Sequence, residues 1–249
     1  MSVEPPDAYW SNRLSREFSL RGTGHIAYSE GYNAWMYRAK GRALRRALRR
    51  ARPTPDALDV GVGTGWCLGV LESMDARVDG CDIVEQSIQR ASEQFPEGSF
   101  FQLDISTDPI PKEAASYDLV TALDVLYHVV DDEGWERALR EFARVLKPGG
   151  VLIATDGLGS VDRHPAAHVH FRSHEHWASG AALAGFDLTE LRPLYRWLSR
   201  DPGRERRFMP DAVRGAVEYA LETLAPRRPH MHCVVLTRHA SPRRSAPAA

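Results

Sequence analysis

The chain has 249 residues, 43% hydrophobic and 26% charged, which is enough apolar material for one α/β core with additions. A formal net charge of -1 gives no global field to gather nucleic acid or a lipid surface, so neither is expected as a partner. Cys67, Cys81 and Cys233 are odd in number and far apart, which argues against a disulfide framework and fits reduced, buried thiols in a cytoplasmic setting.

At the start, Met1-Ser-Val-Glu-Pro-Pro-Asp lacks the basic opening and apolar stretch of a signal peptide, and no apolar run is long enough to span a membrane. Residues 1–52 read as an N-terminal helical extension. From Ala34 to Arg49 apolar residues recur at helical spacing with arginines opposite, which predicts an amphipathic helix packed on a sheet. Tyr9, Trp10, Tyr28, Tyr32, Trp35 and Tyr37 make this extension dense in aromatics. They suit either a lid over a reactive site or simple attachment to the sheet. Pro53 and Pro55 end the helix.

From there strand and helix alternate. Ala57–Val60, Arg77–Asp82 and Phe100–Leu103 read as strands, with helices at Trp66–Met74 and Val84–Gln94 between them. Tyr117–Leu123 and Val151–Thr155 are the next strands, around a helix over Trp135–Leu146 that Pro148-Gly149-Gly150 should stop. A helix at His174–Ala184, a strand at Phe186–Arg196, an amphipathic helix ending near Leu224 and a strand at Met231–Thr237 complete seven strands. Such alternation implies parallel strands with right-handed helical crossovers. Residues 53–240 thus form one domain, and 241–249 a tail too poor in apolar surface to order itself.

The most specific motif is Asp59-Val-Gly-Val-Gly-Thr-Gly65, directly after the first strand. Closely spaced glycines let bare backbone approach a ligand, and the following helix turns free N–H groups toward it. Where a dinucleotide fingerprint wants a small residue stands Trp66, which weighs against a dinucleotide-dependent oxidoreductase. The second strand ends in Asp82, an acid placed to accept both hydroxyls of a ribose, and the third in Asp104.

With these motifs and Arg144-Val-Leu-Lys-Pro-Gly-Gly150 in order, the chain resembles the class I S-adenosylmethionine-dependent methyltransferases over roughly residues 34 to 240. The resemblance implies a Rossmann-like α/β fold with sheet order 3-2-1-4-5-7-6, the last strand antiparallel. It also implies S-adenosylmethionine as cofactor and a small-molecule acceptor methylated on oxygen or nitrogen, in a monomer or homodimer. Asp59, Gly61, Gly63 and Gly65 would hold the methionyl end, and Asp82 the ribose. Ile83, Asp104 and Ile105 would hold the adenine, and the backbone of Leu123 and Asp124 the methionyl amine. His128 and Tyr127, just past the fourth strand, are candidate bases for a hydroxyl acceptor, with His168 and His170 as further proton-handling candidates.

The run His164-Pro-Ala-Ala-His168-Val-His170-Phe-Arg-Ser-His174-Glu-His176 could suggest a metal, but resembles the family's approach to the helix before the sixth strand, and no metal is expected. Arg196, Arg200, Arg204, Arg206 and Arg207 suit either an acidic acceptor or a solvated loop. Leu123-Asp-Val-Leu-Tyr-His lacks the Pro-Pro-aromatic motif common in base-modifying methyltransferases. A non-catalytic cofactor-binding module is the remaining alternative.

Overall fold

The computed structural model describes residues 5–48, 55–199, 209–224 and 228–240. Three helices open the chain: α1 (Pro6–Arg16), α2 (Leu20–Thr23) and α3 (Glu30–Leu48). In α1, Pro6 starts the first turn, Asp7 sits at its positive end and Arg13 and Arg16 at its negative end, so dipole and side chains agree. Then follow β1 (Asp56–Val60), α4 (Trp66–Glu72), β2 (Arg77–Asp82), α5 (Glu85–Gln94), β3 (Phe100–Gln102) and β4 (Tyr117–Ala122). After a 3-10 turn at Leu126–His128 come α6 (Asp132–Val145), β5 (Leu146–Asp156), β6 (Arg163–Ala166), β7 (Val169–Phe171) and α7 (His174–Leu183). The chain ends in β8 (Phe186–Tyr195), α8 (Asp211–Leu224) and β9 (Met231–Arg238).

The main sheet runs β3-β2-β1-β4-β5-β9-β8, the order expected, with β9 antiparallel to both its neighbours. Side-chain alternation explains why both faces are covered. Leu58, Val120, Leu152, Val234 and Leu236 belong to one apolar cluster, with Trp135, Leu139 and Phe142 of α6 and Trp177 of α7. Ala57, Leu119, Ile153, Cys233 and Val235, the adjacent residues, join Leu44 and Leu48 of α3 and Leu68 and Leu71 of α4. A period of two with apolar residues at every position marks strands buried on both sides.

Two features differ from the sequence reading. β5 begins at Leu146, because Tyr117 pairs with Leu146 and the register then shifts, looping out Lys147–Gly150 with Gly149 at a φ of 77°. The looped Lys147 is not idle: its Nζ lies 2.8 Å from both Asp56 and Asp118. The histidine-rich approach to α7 contains a β6–β7 hairpin, two strands that the sequence reading did not include. The tail 241–249 and Arg200, Arg204, Arg206 and Arg207 lie outside the described residues, while the Arg196 amide donates to Glu222 of α8. The cysteines are buried and unpaired, as expected. Among the described residues no helix is long and apolar enough to cross a membrane.

Candidate functional site

A cavity of about 290 Å³ opens at the carboxyl ends of β1, β2, β3 and β4. Right-handed crossovers put the loops after these strands side by side, which is where open α/β sheets place ligands. The β1–α4 loop forms its floor, with Gly61, Gly63 and Gly65 at φ values of 77°, 52° and 78°. At Gly61 a Cβ would stand 2.3 Å from Val125 Cγ2, and at Gly63 2.8 Å from Thr23 Cγ2. Both the backbone twist and the crowding therefore require glycine.

Asp82 is fixed by that loop. Gly63 N donates to its Oδ2 at 2.7 Å and Val84 N to its Oδ1 at 2.8 Å. Burial pushes its carboxyl up to about 6 in spite of these two donors. Asp59 is more extreme: it is 1% exposed, Thr121 Oγ1 donates to its Oδ1 at 2.6 Å, and its Oδ2 has no hydrogen-bond partner. Burial, with the Asp82 charge adding, pushes it up to about 7. A buried oxygen without a donor calls for one from a ligand.

Ile83, Asp104 and Ile105 line the same cavity. Asp104 also closes its own turn, since Oδ1 accepts from Ser106 N at 2.8 Å and Ser106 Oγ at 2.6 Å. Leu123 and Asp124 line the opposite wall, Asp124 with a φ of 61°. Asp124 offers more than the backbone that the resemblance implied. Its side chain is an anchor: Lys40 of α3 makes a short ion pair with Oδ2, Thr155 Oγ1 donates to Oδ1 at 2.7 Å, and the Asp124 amide donates to Thr155 Oγ1 at 2.7 Å. Lys40 is buried, its Nζ 3.9 Å from the centre of the Tyr37 ring.

Burial opposes both charges of this pair, yet Asp124 holds Lys40 above the usual lysine range and Lys40 holds Asp124 below the usual carboxylate range. Lys40, Thr121 and Thr155 were not foreseen. One signal was present for Lys40, a lone lysine among the arginines of an otherwise amphipathic helix.

The extension closes the cavity with Pro6, Trp10, Leu14, Thr23, Tyr37 and Lys40. Its aromatics divide by task. Trp10 stands edge-on to His128 at 5.1 Å and Tyr37 edge-on to Trp66 at 4.9 Å. Tyr32 bonds to Glu218, and Trp35 packs on Tyr219 at 5.2 Å, so these two fasten α3 to α8.

Of the four proton-handling candidates, only His128 lines the cavity. Its Nδ1 lies 2.8 Å from the His168 carbonyl, an acceptor, so Nδ1 carries the proton and Nε2 the lone pair. Burial pushes His128 down to about 4. Tyr127 packs edge-on against Phe171 at 5.2 Å, and burial raises its phenol well above the usual range. His168 is exposed and reaches His128 through its carbonyl and by ring stacking at 5.7 Å. His170 is buried elsewhere, beside Asp132 and Asp162.

A family model described as a methyltransferase domain matches residues 58–154, the segment that carries β1 to β5. The chain is 31% identical over 124 residues to a ubiquinone biosynthesis O-methyltransferase of Xanthomonas campestris pv. campestris, covering 49% of each. It is 34% identical over 108 residues to a 27-O-demethylrifamycin SV methyltransferase of Amycolatopsis mediterranei, covering 41% of this chain and 38% of that one. The chain thus spans about half or less of the length of these curated relatives. Among solved structures, the 1,6-didemethyltoxoflavin-N1-methyltransferase of Burkholderia thailandensis, with 1,6-didemethyltoxoflavin and S-adenosylhomocysteine bound, matches with a TM-score of 0.57. That match has 15% identity and covers 96% of this chain and 93% of the other. The segment from β1 to β5 thus matches a methyltransferase domain, and the sheet order is the one that the resemblance to the class I S-adenosylmethionine-dependent methyltransferases implied.

Proposed function

We propose that the protein moves a methyl group from S-adenosylmethionine to a hydroxyl oxygen of a small, largely apolar molecule. The observation that carries this is the pair of buried carboxylates in one cavity wall: Asp59 with an oxygen lacking any donor, and Asp82 oriented by two backbone amides. These suit a ligand bearing an ammonium group at one end and a diol at the other. Asp59 and the loop Gly61–Gly65 would hold the methionyl end, Asp82 the ribose, and Ile83, Asp104 and Ile105 the adenine.

When bound, the cofactor supplies a methyl group already activated on a sulfonium. What remains for the chain is alignment and exclusion of water, effects that together lower such barriers by roughly 7–11 kcal/mol. Trp10, Leu14 and Tyr37 provide an apolar wall from the extension, which on this reading acts as a lid. His128 takes the proton of the acceptor hydroxyl on Nε2, because the His168 carbonyl holds the other proton on Nδ1. With its pKa down to about 4, the ring stays neutral and able to accept across the physiological range. The O-methyltransferase names of two relatives support oxygen as the methylated atom.

The test is incubation with methyl-labelled cofactor and a panel of small phenols and alcohols, read by mass spectrometry. Label in an ether product is expected. His128→Ala should lower kcat by about 10²–10⁴-fold with cofactor affinity unchanged, the range for loss of a general base. The wild-type rate should hold as pH falls from 8 to 5, since a depressed His128 pKa moves the acid limb toward 4. Cofactor binding with no label transferred to any acceptor would instead indicate a non-catalytic module.

A further inference from the structure

The β6–β7 hairpin and the start of α7 bring His170 and His176 against Asp132, the first residue of α6. One donor atom from each of the three lies within 4.8 Å of the other two. His170 is 3% exposed. Its Nδ1 stands 3.2 Å from the Val130 carbonyl and 3.5 Å from Asp132 Oδ1, both acceptors, so Nδ1 carries a proton. That leaves the lone pair on Nε2, and this buried nitrogen has no hydrogen-bond partner although Asp162 Oδ2 is only 3.4 Å away. His176 repeats the pattern, with Nδ1 2.7 Å from Asp162 Oδ2 and Nε2 3.8 Å from Asp132 Oδ1.

Two imidazole lone pairs facing two carboxylates repel one another unless a proton or a metal cation lies between them. Histidines that ligate a metal regularly donate their other ring N–H to a carbonyl or a carboxylate, which is the arrangement of Val130 on His170 and of Asp162 on His176.

We infer that Asp132, His170 and His176 form a divalent metal site, with Asp162 orienting His176. Two imidazoles and a carboxylate oxygen suit zinc or a neighbouring first-row ion. Zinc bonds of about 2.0–2.1 Å set ligands roughly 3.3 Å apart, so the three donors need to close by at most about 1.5 Å, within reach of side-chain rotation. Arg172 already donates to Asp132 Oδ1 at 2.8 and 3.0 Å and to the carbonyls of Val129 and Asp131. It braces the carboxylate that a metal would share. The ion would pin the hairpin to α6, and the same hairpin turn carries the His168 carbonyl that sets the tautomer of His128. The run of histidines alone does not make the site: His164, His168 and His174 fall outside it, and the carboxylates come from other segments.

The full chain, stripped with a chelator, should take up one cobalt ion per molecule, with visible absorption bands of a four- or five-coordinate nitrogen–oxygen site, and release it to one equivalent of zinc. His176→Ala and His170→Gln should each weaken cobalt binding at least tenfold, and Asp162→Asn by about 10–100-fold, the usual loss for an orienting partner. Circular dichroism and S-adenosylhomocysteine affinity of Asp162→Asn should match the wild type, separating metal loss from misfolding. Absence of stoichiometric uptake, uptake indifferent to all three substitutions, or a nitrogen-15 spectrum of the stripped protein at neutral pH with both nitrogens of His170 protonated would overturn the assignment. In the last case a proton already fills the place of the ion.

Discussion

Asp82→Ala should weaken binding of S-adenosylhomocysteine by a factor of about ten to a thousand in a calorimetric titration. Hydrogen bonds to a charged group are worth about 1.5–3 kcal/mol each, and on the proposed reading two are lost, partly replaced by water. The structure adds a second reason. Gly63 N and Val84 N both donate to this carboxylate, so its removal leaves two loop amides without an acceptor and frees the glycine turn beneath the ligand. Asp82→Asn should lie between, because an amide can accept from one of these donors but opposes the other with its own N–H₂. Unchanged affinity in both variants would show that the ligand does not rest on this strand tip.

Lys40→Met should cost about 3–5 kcal/mol of folding stability, since removing one member of a buried ion pair strands the other charge. For a chain of this size that is a fall in Tm of about 6–20 °C. Lys40 is 3% exposed and Asp124 is tied to Thr155, so water cannot readily substitute for the ammonium. Adding Asp124→Asn should restore most of the loss, because it removes the stranded charge and asparagine tolerates the left-handed backbone at a φ of 61°. The signs of the pKa shifts fix the pH window. Asp124 is depressed, so its share of the stability is lost as pH falls below its unfolded value of 3.8. Lys40 is raised, so its share is present below its unfolded value of 10.5 and is lost at still higher pH. Between those limits the contribution of the pair to the wild type should be flat, while the loss in Lys40→Met should shrink at acid pH as the stranded Asp124 takes up a proton. Chemical denaturation at several pH values checks both points, and equal midpoints for the two proteins would refute the role given to the pair.

The sheet and its ligand-facing end were legible because their signals are local. A strand buried on both faces reads as an unbroken apolar run, and Gly61, Gly63 and Gly65 announce a left-handed turn at one place in the chain. Features made by distant segments were not legible. Lys40 looks like one more basic residue on α3 until folding puts it against Asp124. β6 is Arg-His-Pro-Ala, with no apolar alternation to mark a strand. The grouping of Asp132 with His170 and His176 depends on how the hairpin lands on α6, which no spacing encodes.

The central claim is that an amino-acid nucleoside sits between Asp59 and Asp82, and titrating the folded chain with S-adenosylhomocysteine at pH 5.5 and pH 8 tests it most directly. Burial raises the Asp59 carboxyl to about 7 in the free protein, so at pH 5.5 it is mostly protonated and must ionise to meet the ligand's ammonium group. Affinity should therefore be about thirtyfold higher at pH 8, and at pH 5.5 close to one proton should be released on binding, as read from heats in buffers of different ionisation enthalpy. Absence of binding heat at either pH, or binding of equal strength at both with no proton released, would contradict the account.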